Sequence, residues 1–313
     1  MGVFERSLED NLFSLYESLQ NKTYKHGNYK AFYIHDPKIR HIHKACVQDR
    51  VVHHLISKVL EEIYEPTFYA HSYSCRKDRG THKAVKALIR FARRASSNNT
   101  SKLFVLKCDV KKFFASVDHT VLMQLLARRI QDKDFLWLLI EVITSFQVEN
   151  SVNKGMPIGN LTSQLFANIY MDPLDQYIKH ELKARYYLRY ADDFAVLSND
   201  RSYLRDLTAQ IEEFLKEGLK LSLHPGKVTI GDYYLGVDFL GYVVFPDFIL
   251  PRTKTKRRMV RKISKNIQLY KQQRMSSKSL SQTVQSYLGY LSHASSYKLS
   301  QEIKNNLWYQ LVG

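Results

Sequence analysis

The 313-residue chain has only three cysteines, Cys46, Cys75 and Cys108, far apart and with no CxxC pair. That excludes a disulfide framework and implies reduced thiols in a cytosolic protein. Long apolar runs are also missing. The longest, Phe135 to Ile140, ends at Glu141, far short of the roughly 20 residues a membrane span requires. The N-terminus, MGVFERSLED, has no signal-peptide apolar core. No internal repeat or low-complexity linker divides the chain. Acidic residues are scarce at one end: Pro251 to Gly313 holds thirteen Lys or Arg against one acid, Glu302.

What is present is a core and a strong positive charge. The hydrophobic content of 44% supports one sizeable core or two to three subdomains. The formal net charge is +17, and PRTKTKRRMVRKISKNIQLYKQQR alone carries ten of the thirteen C-terminal basic residues. Phosphate backbones are the commonest partners of such a surface; a solvated basic face is the plainer alternative.

Residues 1–100 read as mostly helical. VVHHLISKVLEEIY places apolar residues at 52, 55, 56, 59, 60 and 63, a helical stripe, and THKAVKALIRFARRA is a second helix. KLFVLKCDV, a short and nearly continuous apolar run, suits a buried strand. TVLMQLLARRI and FLWLLIEVITSF are helices, and NKGMPIGNLTS is a loop punctuated by Gly and Pro. QLFANIYMDPLDQYIKHEL is a helix expected to bend or break near Pro173. YYLRYADDFAVL (186–197) is a hairpin whose turn falls at Asp192 and Asp193. YLRDLTAQIEEFLKEG is a helix with Gly218 as its expected C-cap. Short strands KLSLH, KVTIG and FLGYVVF follow, and a basic helical tail begins near residue 252. The plan is α+β.

Asp109 ends the buried strand, and two adjacent carboxylates sit in the hairpin turn. If those strands are neighbours, three hard oxygen ligands converge at one sheet edge, a set suited to Mg²⁺ or Mn²⁺ rather than zinc. Two such ions can flank an in-line phosphoryl transfer. An Asp-Asp pair alone has a plainer explanation, since Asp favours turns. Asp118 is read as the N-cap of a helix. His41, His43 and Cys46 lie close in sequence, but their spacing fits no zinc pattern.

YADD, with LKCDVKKFFASVDH about eighty residues upstream, resembles the palm of reverse transcriptases. SYSCRKDRGTHKAV, GMPIGNLTSQLFANIYM, LKLSLHPGKVTI, FLGYVVF and SYLGYLSHASSYKL resemble further motifs of that family, in order, over roughly residues 30 to 300. Where related enzymes carry Pro-Gln-Gly and Ser-Pro, this chain reads GMPIGNLTSQ, with Ile158 and Gln164 at the divergent positions. That pattern resembles the reverse transcriptases of diversity-generating retroelements.

The resemblance implies a right-hand polymerase fold: N-terminal region and helix-rich fingers over 1–100, a palm over 101–250 with part of the fingers inserted around 120–160, and a short basic thumb over 251–313. It implies two Mg²⁺ (or Mn²⁺) held by Asp109, the Val110 carbonyl, Asp192 and Asp193. It places Phe114 as an aromatic gate under the dNTP sugar, with Phe113 in the core, and Arg40, Arg76, Ile158, Gln164 and Lys227 around the dNTP. Lys77 and Arg79 stay open between phosphate contact and plain solvation. Gly241 and Tyr242 would form the primer grip, with structural packing as the rival. Arg252, Lys254, Lys256, Arg257, Arg258, Arg261 and Lys262 would hold nucleic acid, and Tyr270, Tyr287 and Tyr290 would fill the thumb core.

The implied activity is error-prone, RNA-directed DNA synthesis that copies a template-repeat RNA into adenine-mutagenised cDNA and diversifies a target gene. Implied partners are that RNA, the RNA/cDNA duplex, dNTPs and an oligomeric basic accessory variability protein, in a cytoplasmic setting, bacterial, archaeal or phage-encoded, with no membrane. Isoleucine at 158 offers no hydrogen-bond donor where glutamine would, so Ile158 is expected to lower fidelity. The alternatives are a group II intron or retron reverse transcriptase, or a non-catalytic RNA-binding or maturase-like protein.

Overall fold

A computed structural model describes residues 2–35, 38–149 and 151–312. In chain order, helices α1 (Gly2–Arg6) and α2 (Leu8–Gln20) precede strands β1 (Lys30–Ile34) and β2 (Arg40–Lys44). Helices α3 (Val47–Tyr64) and α4 (Thr81–Ala95) lead to β3 (Phe104–Asp109), the single turn α5 (Phe113–Ser116), α6 (His119–Ala127) and α7 (Lys133–Thr144). Then come α8 (Leu161–Gln176), β4 (Tyr186–Tyr190), β5 (Asp193–Ser198) and α9 (Arg201–Leu219). Strands β6 (Thr229–Asp232), β7 (Val237–Phe239), β8 (Tyr242–Val244) and β9 (Ile249–Pro251) precede α10 (Thr253–Lys271), α11 (Ser277–Leu291) and α12 (Tyr297–Val312).

Two compact units result. The first comprises residues 1–80, 107–196 and 202–229; the second comprises 81–106, 197–201 and 230–313. In the first, α3 buries Val52, Ile56 and Leu60, and α8 buries Leu165, Phe166, Ile169, Tyr170 and Leu174. Strand β5 lies between β4 and the end of β3. Consecutive residues of β4 (Tyr187, Leu188, Arg189) and β5 (Phe194 to Leu197) are all buried, so both faces of these strands are covered, because neighbouring side chains point to opposite faces. In the second unit, Met259, Ile263 and Ile267 of α10 pack with Leu280, Val284 and Leu291 of α11 and with Leu299 and Ile303 of α12, with Tyr270, Tyr287 and Tyr290 against them.

Several local expectations are corrected. Strands β1 and β2, inside a stretch read as mostly helical, pair antiparallel, with Tyr33 opposite His41. Leu55 and Val59 of the α3 stripe are exposed. Gly218 lies inside α9; the left-handed residue at its end is Lys220, φ 51°, and Leu221 N–H closes onto the Leu215 carbonyl at 2.9 Å. Pro173 does not end α8, which runs on to Gln176 before widening into a π turn over Tyr177–Glu181. KLSLH contributes an isolated bridge, Val110 opposite Leu223, rather than a strand. FLGYVVF is not one strand but a tight hairpin, with Leu240 (φ 49°) and Gly241 (φ 91°) both left-handed between β7 and β8.

Candidate active site

Asp192 sits in the two-residue connection between β4 and β5, and Asp193 opens β5. The turn is pinned on both sides. Val110 N–H donates to the Asp192 carbonyl at 3.2 Å, which sets the end of β3 beside the turn. On the far side of β3, His224 N–H donates to the Asp109 carbonyl at 2.8 Å and Lys111 N–H to the Ser222 carbonyl at 2.9 Å. The Val110 carbonyl takes part in neither bond.

Below the turn, Ala191 holds a left-handed conformation, φ 55°, which costs an alanine energy because its Cβ crowds the backbone. The Arg189 guanidinium donates to the Ala191 carbonyl (3.1 Å) and to Asn168 Oδ1 (3.3 Å) through Nη1. Nε and Nη2 make a bidentate pair with Asp175 at 2.8 and 2.6 Å. Tyr187 O–H donates to the same carboxylate at 2.6 Å, and Asn168 Nδ2 donates to the Ser74 carbonyl at 2.9 Å. Arg189 and Asp175 are both 0% exposed. Burial alone would lower the arginine's pKa, but Asp175 more than reverses this and the guanidinium stays charged. None of Arg189, Asp175 or Asn168 was picked out by the sequence reading.

The carboxylates do converge. Burial first, then the charges of Asp192 and Asp109 and a hydrogen bond with Asp109, raise the Asp193 pKa to about 7. Asp192 is also raised, by burial and then by Asp109, against the opposing charges of Lys227 and Lys38. Lys227 Nζ donates to Asp109 Oδ1 at 2.6 Å, and that hydrogen bond raises the lysine's pKa. Burial and neighbouring charge disfavour the ionised forms of Asp192 and Asp193, and with Asp109 beside them they offer hard oxygen donors whose repulsion a divalent cation would relieve. Among the described residues no group of three His, Cys, Asp or Glu side chains is placed to hold a metal ion; Asp109 Oδ1 is instead taken by Lys227.

The other expected residues divide clearly. Phe113 is core, 2% exposed; Phe114 is half-buried, and its carbonyl accepts from Met156 N–H at 2.7 Å, drawing the 155–157 loop alongside. Ile158 is half-buried and its carbonyl accepts from His43 N–H at 3.0 Å. Gly159 has φ 112°, and a Cβ there would lie 2.7 Å from Ile42 Cγ2. Asn160 bridges the same two segments, accepting from Ala45 N–H (3.2 Å) and donating to the His43 carbonyl (2.8 Å). Gln164 is exposed on the first turn of α8, and Arg40 is exposed at the start of β2.

Arg76 departs from expectation. Its guanidinium chelates Glu65 at 2.8–3.0 Å and donates to the Tyr69 and Ser72 carbonyls at 2.7 and 3.0 Å, with its side chain 4% exposed. Its donors are spent on the fold, so it is an anchor for its loop rather than a triphosphate clamp. Asp118 caps α6 as expected, accepting from Val121 N–H at 3.1 Å. Burial pushes its pKa up, but the Lys220 hydrogen bond and the helix N–H groups outweigh this and lower it.

In the second unit, Tyr242 is 1% exposed. Its ring stacks on Tyr290 at 4.6 Å and its hydroxyl donates to the Tyr290 carbonyl at 3.0 Å. The Gly241 carbonyl accepts from Arg252 N–H at 2.9 Å and from the Tyr290 hydroxyl at 2.5 Å. Tyr242 is therefore packing, the rival role. Arg252, the residue before α10, is ion-paired with Asp238, which makes it an anchor of that helix start. Lys254, Lys256, Arg257, Arg261 and Lys262 are exposed and Arg258 is half-buried, opposite the Met259–Ile263–Ile267 stripe in the core.

Residues 27–244 match the family model described as reverse transcriptase (RNA-dependent DNA polymerase). Protein YkfC of Escherichia coli is 26% identical over 241 residues, covering 66% of this chain and 63% of that protein. The group II intron-encoded protein LtrA of Lactococcus lactis is 28% identical over 177 residues, covering 54% of this chain and 28% of that protein. The chain thus spans less than two thirds of these relatives' own length. Among solved structures, telomerase from Candida albicans aligns with a TM-score of 0.54 at 13% identity, covering 91% of this chain and 61% of that one; this likeness shows the right-hand polymerase fold. No described helix is long and apolar enough to cross a membrane. Matched over more than half its length, the chain belongs to the reverse transcriptase family.

Proposed function

We propose that this protein is an RNA-directed DNA polymerase whose reaction centre is Asp109, Asp192 and Asp193. The observation that carries the reading is the convergence of the three carboxylates on a turn fixed by Arg189 from below and Val110 from the side. Two Mg²⁺ ions, for which Mn²⁺ can substitute, held by these carboxylates and the Val110 carbonyl, would lower the pKa of the attacking hydroxyl and stabilise the leaving pyrophosphate. Lys227, released from Asp109, is placed to steady or protonate that pyrophosphate. Phe114 lies beside the 155–157 loop, where a ring would crowd a ribose 2′-hydroxyl. Arg40 and Gln164 border the dNTP, Gly241 shapes the primer grip, and the basic face of α10 in the thumb grips the template–primer phosphates.

The finer reading is the error-prone enzyme of a diversity-generating retroelement, copying a template-repeat RNA with an oligomeric basic accessory variability protein as partner. It rests on Ile158 and Gln164 in GMPIGNLTSQ. The Ile158 backbone bond to His43 does not depend on its side chain, so Ile158→Gln keeps that link while adding a hydrogen-bond donor. The intron-encoded relatives favour a second reading, an accurate polymerase of the group II intron kind. Primer extension on a defined RNA template, with and without the accessory protein and with every product sequenced, separates the two. Errors concentrated opposite template adenine support the retroelement reading; accurate cDNA supports the intron type.

A further inference from the structure

One side of α2 is at odds with the rest of the molecule. The helix buries Leu15 and half-buries Asn11, Ser18 and Leu19, and that inner side is tied down. Asn11 Nδ2 donates to the Phe4 carbonyl at 3.0 Å. Just beyond the helix, Tyr24, 2% exposed, donates its hydroxyl to Asp49 of α3 at 2.8 Å. Lys22 and Lys25 pair with Asp134 and Glu141 of α7. The outer side faces solvent. Leu8, Leu12 and Tyr16, at i, i+4 and i+8, form one ridge and are 45%, 40% and 61% exposed. Glu9, Phe13 and Glu17 form the next ridge, with Phe13 68% exposed and both glutamates exposed. Asp10 is exposed beside them.

Scattered apolar residues on a surface need no explanation, but a contiguous set on an anchored helix does. Two parallel ridges frame a groove of the kind that a second helix fills with a ridge of its own. Charge then selects among occupants. Residues 2–20 carry four acids, Glu5, Glu9, Asp10 and Glu17, against one base, Arg6, in a chain of net charge +17. Nucleic acid and anionic lipid are repelled by such a face. A second copy of α2 would set Glu9 and Glu17 against acids of their own kind. The basic helix α10 of a second copy offers charge, but its Met259–Ile263–Ile267 stripe is spent on its own core. A protein helix with apolar anchors flanked by Lys or Arg satisfies both ridges. Glu9 and Glu17 lie roughly 12 Å apart along the helix axis, and two cations with the same spacing on a facing helix meet both.

We propose that α2 is a docking surface for a basic amphipathic helix of a partner protein, with Leu12, Phe13 and Tyr16 as apolar anchors and Glu9 and Glu17 setting the register. The surface is independent of the chemistry of the three carboxylates.

The test uses a fluorescent helical peptide with leucine at heptad positions a and d and lysine at e and g, whose like charges keep it from pairing with itself. The same peptide with glutamate in place of lysine is its counterpart. Binding is measured by anisotropy with the full chain, unaltered and as Leu12→Ala–Phe13→Ala and Glu9→Lys–Glu17→Lys. The lysine peptide should bind the unaltered chain and bind each double variant about tenfold more weakly. The glutamate peptide should prefer Glu9→Lys–Glu17→Lys to the unaltered chain. These positions are exposed, so unfolding midpoints and primer extension should not change. Equal binding of the lysine peptide by all three proteins would overturn the proposal, as would no binding by the unaltered chain. Sedimentation and RNA binding on the same samples cover the other occupants. A dimer that Leu12→Ala–Phe13→Ala abolishes would overturn the proposal in favour of a second copy. Loss of RNA binding in that variant, with peptide binding intact, would overturn it in favour of nucleic acid.

Discussion

Two ion pairs flank the carboxylates, and they are built for opposite purposes. Arg189–Asp175 is closed to water at both ends, bidentate, and completed by Tyr187 and Asn168. Lys227–Asp109 is a single contact with the lysine side chain 43% and the aspartate 13% exposed. Taking charges out of water is costly, so a buried pair is tolerable only with every donor and acceptor satisfied, and it then holds one arrangement. An exposed lysine pair costs little to separate. The first pair fixes the turn; the second is a single, easily separated contact on Asp109.

Removing half of the buried pair should have the largest effect. Arg189→Ala leaves Asp175 charged and the Ala191 carbonyl unsupported, and should destabilise the fold by about 3–5 kcal/mol, measured by chemical unfolding. Arg189→Lys keeps the charge but not the bidentate fork, so it should recover part of the stability and little of the extension rate. Equal behaviour of the two variants would remove the orienting role of Arg189.

The exposed pair should break quietly. Lys227→Ala should leave stability unchanged, since exposed pairs contribute about 0–1 kcal/mol. It should lower the Mg²⁺ concentration for half-maximal extension, while slowing single-turnover extension about 100-fold through loss of the pyrophosphate contact. A loss of stability matching that of Arg189→Ala would erase the contrast between the two pairs.

The carboxylates themselves should show a pH effect of intermediate size without metal. Asp193 titrates near 7 in the folded chain against a usual 3.8. Between those values the folded state keeps a proton the unfolded state has lost, so stability falls as pH rises through the window. Asp193→Asn removes that penalty. At pH 8 without Mg²⁺ it should be more stable than the unaltered chain by on the order of 2 kcal/mol, and near pH 3 the two should coincide. The smallest effects belong to α10. Lys256→Ala or Arg257→Ala should weaken template–primer binding alike for every sequence and reduce the salt slope by about one each.

The parts legible in the sequence were those in which local pattern and final environment agree. The apolar and aromatic runs on either side of Asp192 and Asp193 marked the β4–β5 hairpin with its turn at the carboxylates, and Asp118 before HTVL marked the helix cap. The scaffold beneath the turn was not legible, because Arg189 and Asp175 meet only when α8 packs on β4, and an arginine in a strand reads as an exposed residue. One signal was available: Asp175 falls on the apolar face of α8, four residues after Met171 and one after Leu174, and a buried acid needs a partner. Arg76 misled for the converse reason, since an arginine in a polar loop looks free for phosphate until Glu65 arrives from the end of α3. The β1–β2 pair stayed hidden because β1 is exposed throughout and β2 has only Ile42 and His43 half-buried, so neither strand carries an alternating burial pattern.

The most direct test of the account is single-turnover primer extension on an RNA template by Asp192→Asn, beside the unaltered chain and across a Mg²⁺ titration, with template–primer affinity measured on the same samples. The account predicts extension reduced more than about 1,000-fold at every Mg²⁺ concentration, with affinity unchanged. Extension within about tenfold of the unaltered chain would contradict it.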